Sequence, residues 1–391
     1  MTADEAGDRG AAARPRIGVL EGPLTSARGV PSQRRRAPRY RLRASVEYFP
    51  AAGGDVFLLR AGGAPGVVVR SPSAEDRRLL EALAHGGVEA AAGSVAERRL
   101  RPLLEAGLIG LEPDVSAMPA ALAERFARQL PWLAEEGDAA AAQLSLRAAH
   151  VVILGCGGIG TWALGALAGL GIGRFTLVDD DVVELSNLNR QILYALGDVG
   201  EAKVDRAAAW LRRFDPGIRA TAVRQRVRSA ADVAALLGDA DLLLLAADWP
   251  PYELGRWVNR ACIEESVPFV LAGQQPPTLK VGPTYVPGDG PCFACHEARL
   301  AAAHPYYEEL TEHRRRDPAP DVTLGPATGV VGSLLALDML ALLSGRTPAT
   351  RGRALLIDMR TFEQRWEAVE RFPDCPECGR LGQRGAPQGA P

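Results

Sequence analysis

The feature that most constrains the fold of this chain is a glycine-rich turn that directly follows a short apolar run. The apolar run at residues 151–154 is followed within six positions by Gly155, Gly157, Gly158 and Gly160. Glycine lets a buried strand turn sharply into a helix, because its backbone tolerates close approach and positive φ. Further short apolar runs alternate with helix-like segments, at residues 176–178, 220–223, 242–245 and 268–271. This alternation predicts an α/β fold with a doubly wound, mostly parallel sheet.

The residues around this turn suit a nucleotide. A strand that turns into a helix start presents backbone N–H groups and the positive end of the helix dipole to a phosphate. Asp179 closes the next apolar run, a position where a carboxylate suits ribose hydroxyls. Many dinucleotide-binding dehydrogenases share such a turn. Here Arg190 and Lys203 follow the carboxylate, and this positive charge favours a triphosphate over a nicotinamide dinucleotide.

The stretch LVDDDVVELSNLNRQILYALGDVGEAKVDRAAAWLRRFDP, residues 177–216, resembles the adenylating enzymes of the ThiF/MoeB and ubiquitin-activating superfamily almost residue for residue. Upstream, residues 124–130 (ERFARQL) are similar to the helix that opens that Rossmann-like fold. Downstream, two CxxC pairs match the family's zinc knot, so the resemblance covers residues 124–379. Within the superfamily, the chain looks similar to the microcin C and pantocin type of ribosomal-peptide maturation enzymes.

The resemblance implies an ATP-dependent adenylyltransferase, which joins a carboxylate oxygen to the α-phosphorus of ATP. Phosphate would lie on the glycine turn and ribose on Asp179. The other nucleotide-binding residues would be Asn187, Arg190, Gln191 and Lys203. Asp248, directly after the run at 242–245, would bind Mg²⁺, and Arg128 would reach the phosphates from a partner subunit, which implies a homodimer. The catalytic set would be Arg128, Arg190, Lys203 and Asp248.

Some of these residues also have simpler interpretations. Arg190 can pair with a surface acid, Lys203 can be a helix-surface lysine, and Asp248 can cap the turn that follows it. The acids after Asp179, at positions 180 and 181, are expected in a solvated loop. This chain also departs from the family pattern, because Trp249 stands where an asparagine usually follows the metal-binding aspartate.

Four of the six cysteines form the two CxxC pairs, which predicts one tetrahedral Zn²⁺ site in a reducing compartment. The predicted ligands are Cys292, Cys295, Cys375 and Cys378. His296 adjoins one pair and is an alternative ligand. No cysteine lies between Cys295 and Cys375, so the thioester and persulfide chemistry of related activators cannot occur there. Residues 301–326 are expected to form a long mobile crossover loop.

We expect four parts along the chain: a largely disordered tail at 1–39, a small α+β winged-helix-like domain at 40–113, the adenylation domain at 120–382, and a disordered tail at 383–391. In the second part, three strands are predicted at 40–49, 56–60 and 66–70, before two helices and a short wing. The layout resembles the leader-peptide recognition domains of ribosomal-peptide maturation, with a peptide expected near residues 67–69 and 100–104. A scaffold that only supports dimerisation is the alternative.

Bulk properties exclude several classes of function. The 391 residues carry a formal net charge of −2, which provides no basic field for nucleic acid. No run of ~18 uninterrupted apolar residues predicts a membrane span, and a cytoplasmic location is expected. The hypothesis is therefore adenylation of a carboxylate on a precursor peptide. The alternatives are activation of a sulfur-carrier protein's C-terminus, or a non-catalytic partner that delivers leader peptides to a cyclodehydratase; such a maturation enzyme is also a possible partner.

Overall fold

The protein is described here by a computed structural model that covers residues 37–43, 45–63, 65–135, 137–317, 322–372 and 374–379. Of the tails predicted to be disordered at 1–39 and 383–391, residues 1–36 and 383–391 lie outside the described residues, and Arg39 already belongs to a strand. The domain boundaries drawn from the sequence stay a prediction.

The N-terminal module contains two three-stranded sheets, ordered β5-β1-β6 and β2-β3-β4. Its elements are β1 (Arg39–Leu42), β2 (Val46–Pro50), β3 (Val56–Arg60), β4 (Val67–Val69), α1 (Ala74–His85), β5 (Val88–Glu89), α2 (Val95–Glu105) and β6 (Ile109–Leu111). The single strand predicted at 40–49 is wrong. The Arg43 N–H bonds to the Leu108 carbonyl and the Val46 N–H to the Arg43 carbonyl, so the chain turns there and its two halves enter different sheets.

A separate hydrophobic cluster fills this module. Val56 and Leu58 on β3 alternate toward the cluster and are fully buried, as are Leu83 of α1 and Leu100 of α2. Ser73 caps the start of α1 by accepting a hydrogen bond from the Asp76 N–H.

The larger part holds one eight-stranded sheet in the order β14-β13-β12-β11-β10-β7-β8-β9. Its strands are β7 (His150–Leu154), β8 (Arg174–Val178), β9 (Arg219–Val223), β10 (Leu242–Leu245), β11 (Phe269–Gln275), β12 (Thr278–Tyr285), β13 (Arg353–Asp358) and β14 (Gln364–Ala368). The five neighbouring strands β9, β8, β7, β10 and β11 are parallel to one another. Strands β12, β13 and β14 follow at the β11 edge, and each is antiparallel to the strand before it. The predicted Rossmann-like class is confirmed, whereas β12 and β14 were not foreseen.

Helices cover both faces of this sheet. They are α3 (Ala120–Arg125), α4 (Leu130–Leu133), α5 (Ala139–Ala148), α6 (Gly158–Leu170), α7 (Lys203–Phe214), α8 (Ala230–Leu237), α9 (Glu253–Glu264), α10 (Phe293–Ala303), α11 (Tyr307–Arg316) and α12 (Gly325–Leu343). Val151 and Ile153 of β7 point into one core, and Val152 and Leu154 into the other. Strands covered on both faces are continuously apolar, which explains the apolar runs in the sequence.

The segment predicted as a mobile loop at 301–326 is largely helical. It contains the end of α10, all of α11 and the start of α12, and residues 318–321 lie outside the described part. Glu308 and Glu309 lie in the first turn of α11 and basic residues lie in its last turn, which suits the helix dipole. α12 has the length and apolarity of a membrane span, but 61% of it is buried in the protein.

Candidate nucleotide-binding site

The chain reverses its direction of travel across the sheet at β7, which lies between β8 and β10. Ligands of open α/β sheets bind in the crevice at the carboxyl ends of the strands at such a point. Three segments meet there: the glycine turn after β7, Asp179 after β8, and residues 246–248 after β10.

The four glycines of the turn differ in how closely other residues pack against them. Gly155 has φ +101°, and a Cβ there would come within 2.5 Å of the Ala247 nitrogen. A Cβ on Gly158 would lie 2.8 Å from Thr328 Cγ2, and one on Gly160 would overlap the Gly155 carbonyl. Gly157 precedes α6 without any side-chain cap, and a Cβ there would meet only Gln191 Nε2, at 3.9 Å, among the described residues. The turn is therefore packed at three glycines and leaves the N-terminus of α6 accessible at Gly157.

Asp179 holds the glycine turn against β8. Its Oδ2 accepts the Cys156 N–H at 2.7 Å, and its Oδ1 accepts the Asp181 N–H at 2.9 Å. Burial raises the pKa of Asp179, and the nearby Lys203 ammonium partly offsets that rise. Each carboxylate oxygen retains a second lone pair, which can accept a ribose hydroxyl.

Lys203 is buried beside the turn, so the interpretation as a helix-surface lysine is wrong. Its side chain is 8% exposed, and Nζ donates to Asp181 Oδ2 at 2.7 Å. Asp181 itself is 65% exposed, in agreement with the solvated acidic loop that was predicted. The lysine thus has a partner that a ligand phosphate can replace.

Two residues of the segment before α7 also reach the turn. The Tyr194 hydroxyl donates to the Cys156 carbonyl at 2.8 Å, and sequence reasoning missed this residue because nothing local marks it. Gln191 is 3% exposed, and its Oε1 has no hydrogen-bond partner among the described residues. A buried, unsatisfied amide oxygen beside Gly157 is costly without a ligand.

Asn187 and Arg190 shape the loop that carries Gln191. Asn187 is buried, its Oδ1 accepts the Glu184 N–H at 3.1 Å, and its carbonyl accepts from Arg190 and Gln191. The Arg190 guanidinium donates to the Ser186 carbonyl at 2.9 Å and to Asn189 Oδ1 at 3.1 Å. Asn187 therefore builds the turn, and Arg190 lies at its rim.

Asp248 is exposed at the end of the loop after β10. The Ala246–Ala247 peptide lies against Gly155, which brings this loop beside the glycine turn. Mg²⁺ in nucleotide sites is bound by one or two carboxylates together with phosphates and water. An exposed aspartate in this place fits that requirement.

The four CxxC cysteines converge into one buried cluster. The Sγ atoms of Cys292 and Cys375 are 3.7 Å apart, those of Cys295 and Cys378 3.6 Å, and those of Cys292 and Cys295 3.9 Å. Tetrahedral Zn²⁺ with bonds of about 2.3 Å separates its sulfurs by about 3.8 Å, so this donor set fits zinc. His296 is not a competing ligand, because its Nδ1 pairs with the Tyr285 hydroxyl at 2.8 Å and its Nε2 lies 3.3 Å from Lys280 Nζ.

Residues 126–379 match the model of the ThiF family. The chain belongs to the ThiF family. It is 34% identical over 309 residues to the pig (Sus scrofa) adenylyltransferase and sulfurtransferase MOCS3, covering 78% of this chain and 63% of that protein. It is 33% identical over 241 residues to the sulfur carrier protein ThiS adenylyltransferase of Escherichia coli, covering 61% of this chain and 88% of that enzyme. The chain thus spans less than two thirds of the MOCS3 relatives.

The fold also resembles a solved structure. The E. coli MccB structure with ATP superimposes with a TM-score of 0.70 at 24% identity, covering 87% of this chain and all of that chain. The ThiF match begins at residue 126, so the likeness to MccB must extend upstream of it, into the N-terminal module.

In this ThiF domain, Arg128 lies in a turn between α3 and α4, not in the predicted helix. The neighbouring Gln129 donates to the Leu170 carbonyl at 3.1 Å, and Phe126 packs at Gly171. These contacts place Arg128 at the C-terminal end of α6. The 13 residues of α6 separate that end from the glycine turn by about 18 Å, which is too far for this arginine to act on its own chain's site.

Proposed function

We propose that the protein is an ATP-dependent adenylyltransferase that activates a carboxylate of a ribosomally made precursor peptide. The observation that carries this proposal is the convergence, at one sheet edge, of the accessible α6 N-terminus, Asp179, the buried Lys203 and the unsatisfied Gln191. Phosphate and ribose each find a suited group in this arrangement.

In the proposed reaction, a peptide carboxylate oxygen attacks the α-phosphorus of ATP and pyrophosphate leaves. The chain's part is electrostatic: the first N–H groups of α6 bind phosphate, and Lys203 exchanges Asp181 for a phosphate oxygen. Asp248 would hold Mg²⁺, which supplies charge neutralisation between the phosphates. Removing one such group typically costs about 10²–10³ in rate. Attack of a nucleophile on the acyl adenylate then releases AMP.

A peptide substrate is favoured by the N-terminal module. MccB is a microcin C7 biosynthetic enzyme that has been solved with MccA, and its likeness to this chain extends into the module. Among the described strands, β4 pairs only with β3, so its outer edge can accept an added strand. Leu100, predicted to contact the leader, is fully buried. We therefore assign leader docking to β4 and to the half-buried Leu103 and Leu104.

Activation of a sulfur-carrier protein is the second candidate. It is favoured by the 33% identity to the ThiS adenylyltransferase, but that match covers 61% of the chain and gives the module no role. A non-catalytic leader-delivering partner of a cyclodehydratase is the third candidate. It is disfavoured because Asp179, Lys203 and Asp248 are all present at the site.

The same proposal includes a homodimer, one Zn²⁺ per chain and a cytoplasmic location. Arg128 lies at the wrong end of α6 for its own site, so it would serve a second subunit. α12 carries exposed apolar side chains, Val330 at 43% and Leu337 at 54%, which offer a contact surface for that subunit. The cysteine cluster would bind zinc and tie residues 375–378 to α10.

ATP–pyrophosphate exchange by the full chain tests these candidates. With a precursor peptide encoded beside the gene, exchange should be fast and should weaken when the leader is removed. Exchange with a sulfur-carrier protein and not with the peptide would favour the second candidate. Absence of exchange with either substrate, together with retained leader binding in fluorescence anisotropy, would favour the third.

A further inference from the structure

Trp162 lies on the first turns of α6 and contacts the loop that follows β8. Its indole N–H donates to the Arg190 carbonyl at 3.1 Å, across 28 positions of sequence. It is the described side chain that links α6 directly to the backbone of Arg190. Nothing in the sequence pattern marked it.

The ring of Trp162 lies in a notch of α12. A Cβ on Gly329 would lie 3.3 Å from three atoms of the indole, and a Cβ on Gly332 would lie 2.8 Å from Trp162 Cβ. α12 and α6 are therefore in close contact at this tryptophan, and the ring has little freedom to rotate.

Arg190 lies over the phosphate-binding end of α6. Its Cδ is 3.5 Å from the position that a Cβ on Gly158 would occupy. The guanidinium is held from its own loop by the Ser186 carbonyl and Asn189 Oδ1. The hydrogen bond from Trp162 to the Arg190 carbonyl therefore helps to fix the position of the loop, and with it the position of the Arg190 guanidinium.

We infer that Trp162 is a positioning residue, which fixes the backbone of Arg190 so that its guanidinium lies over the phosphate groups bound at α6. The inference rests on the proposed nucleotide site. Without the indole donor the part-buried carbonyl of Arg190 loses this hydrogen bond, and the loop shifts because one of its attachments to α6 is gone. A shift of the loop displaces the arginine from the phosphates and leaves the ribose carboxylate Asp179 in place.

The test compares Trp162→Phe, which keeps a ring in the notch and removes the donor, with Trp210→Phe as the matched control. Trp210 stacks on Phe214 at 5.0 Å, and its indole N–H makes no hydrogen bond in the described part of the chain. Isothermal titration calorimetry on the full chain would use Mg²⁺-ATP and adenosine. In Trp162→Phe the Kd for ATP should rise about tenfold, as for loss of a well-placed hydrogen bond, with the Kd for adenosine unchanged. Trp210→Phe should change neither.

Gly329→Ala approaches the same ring from the other side. The added methyl displaces the indole by a few tenths of an ångström. Gly329→Ala alone should therefore weaken ATP binding, and the same substitution added to Trp162→Phe should have a smaller effect. This variant keeps the test open if Trp162→Phe does not fold.

The inference is overturned if Trp162→Phe and Gly329→Ala both bind ATP with wild-type affinity. It is also overturned if they lose affinity for ATP and for adenosine equally, because that result describes a general structural role. A wild-type protein that binds adenosine but not ATP, or neither, would instead refute the nucleotide site itself, and with it the inference.

Discussion

Lys203 provides the sharpest test of the site, because its effects on stability and on nucleotide binding should differ. The ion pair with Asp181 is 2.7 Å long, but Asp181 is 65% exposed. Because Asp181 faces solvent, the pair contributes at most about 1 kcal/mol, and methionine can fill the buried volume of the lysine stem. Lys203→Met should therefore change the free energy of unfolding little.

Nucleotide binding should respond much more strongly to the same change. Hydrogen bonds to charged groups contribute about 1.5–3 kcal/mol, so the Kd for Mg²⁺-ATP should rise about 10- to 150-fold. Calorimetric titration and thermal unfolding measure the two effects on one sample. Asp181→Asn is the matched control, because it removes the partner and keeps the ammonium, and it should leave ATP affinity equal or higher. An ATP affinity in Lys203→Met within threefold of wild type, or an equal loss in Asp181→Asn, would refute the assigned role.

Four further outcomes are expected. Asp248→Asn should fold normally, by circular dichroism, and lose pyrophosphate exchange. Metal analysis should find about one Zn²⁺ per chain, and Cys375→Ser should lose that metal and melt at a lower temperature. Mixing the inactive variants Arg128→Ala and Asp248→Asn should restore part of the exchange activity, and no recovery despite proven subunit exchange would contradict action across subunits. Burial opposes ionisation of Asp215, but hydrogen bonds from Gly217 and Arg147 outweigh it and lower the pKa of Asp215. The ionised carboxylate therefore stabilises the folded chain at neutral pH, and this contribution is lost as the pH falls below about 4. In Asp215→Asn the free energy of unfolding should depend less on pH in that range.

Local pattern was enough to predict the parallel sheet and the glycine turn. It could not distinguish the glycines, because Gly155 and Gly158 are packed by Ala247 and Thr328, which are far away in sequence. Gly157 is left accessible because no neighbour in the described part of the chain packs as closely against it.

The remaining differences have the same origin. The strand predicted at 40–49 is divided because β1 pairs with β6, about 70 residues later. Tyr194 and Trp162 act through backbone carbonyls that are distant in sequence, and a tryptophan or tyrosine within an apolar segment is expected simply to pack. Contacts of this kind depend on which distant segments pack together, and that cannot be predicted from the local pattern of a single sequence.

The length of α6 connects the fold to the proposed dimer. Its N-terminus and its C-terminus lie about 18 Å apart, with the glycine turn at one end and the segment of Arg128 at the other. An arginine at the C-terminal end of α6 is too far from the glycine turn of its own chain, so from there it can reach only the phosphates of another subunit. If Arg128 has that role, association of two chains completes the site, and ATP turnover should depend on protein concentration in the range where the dimer dissociates. Turnover per chain that stays constant while the dimer dissociates would leave Arg128 with a structural role at the end of α6.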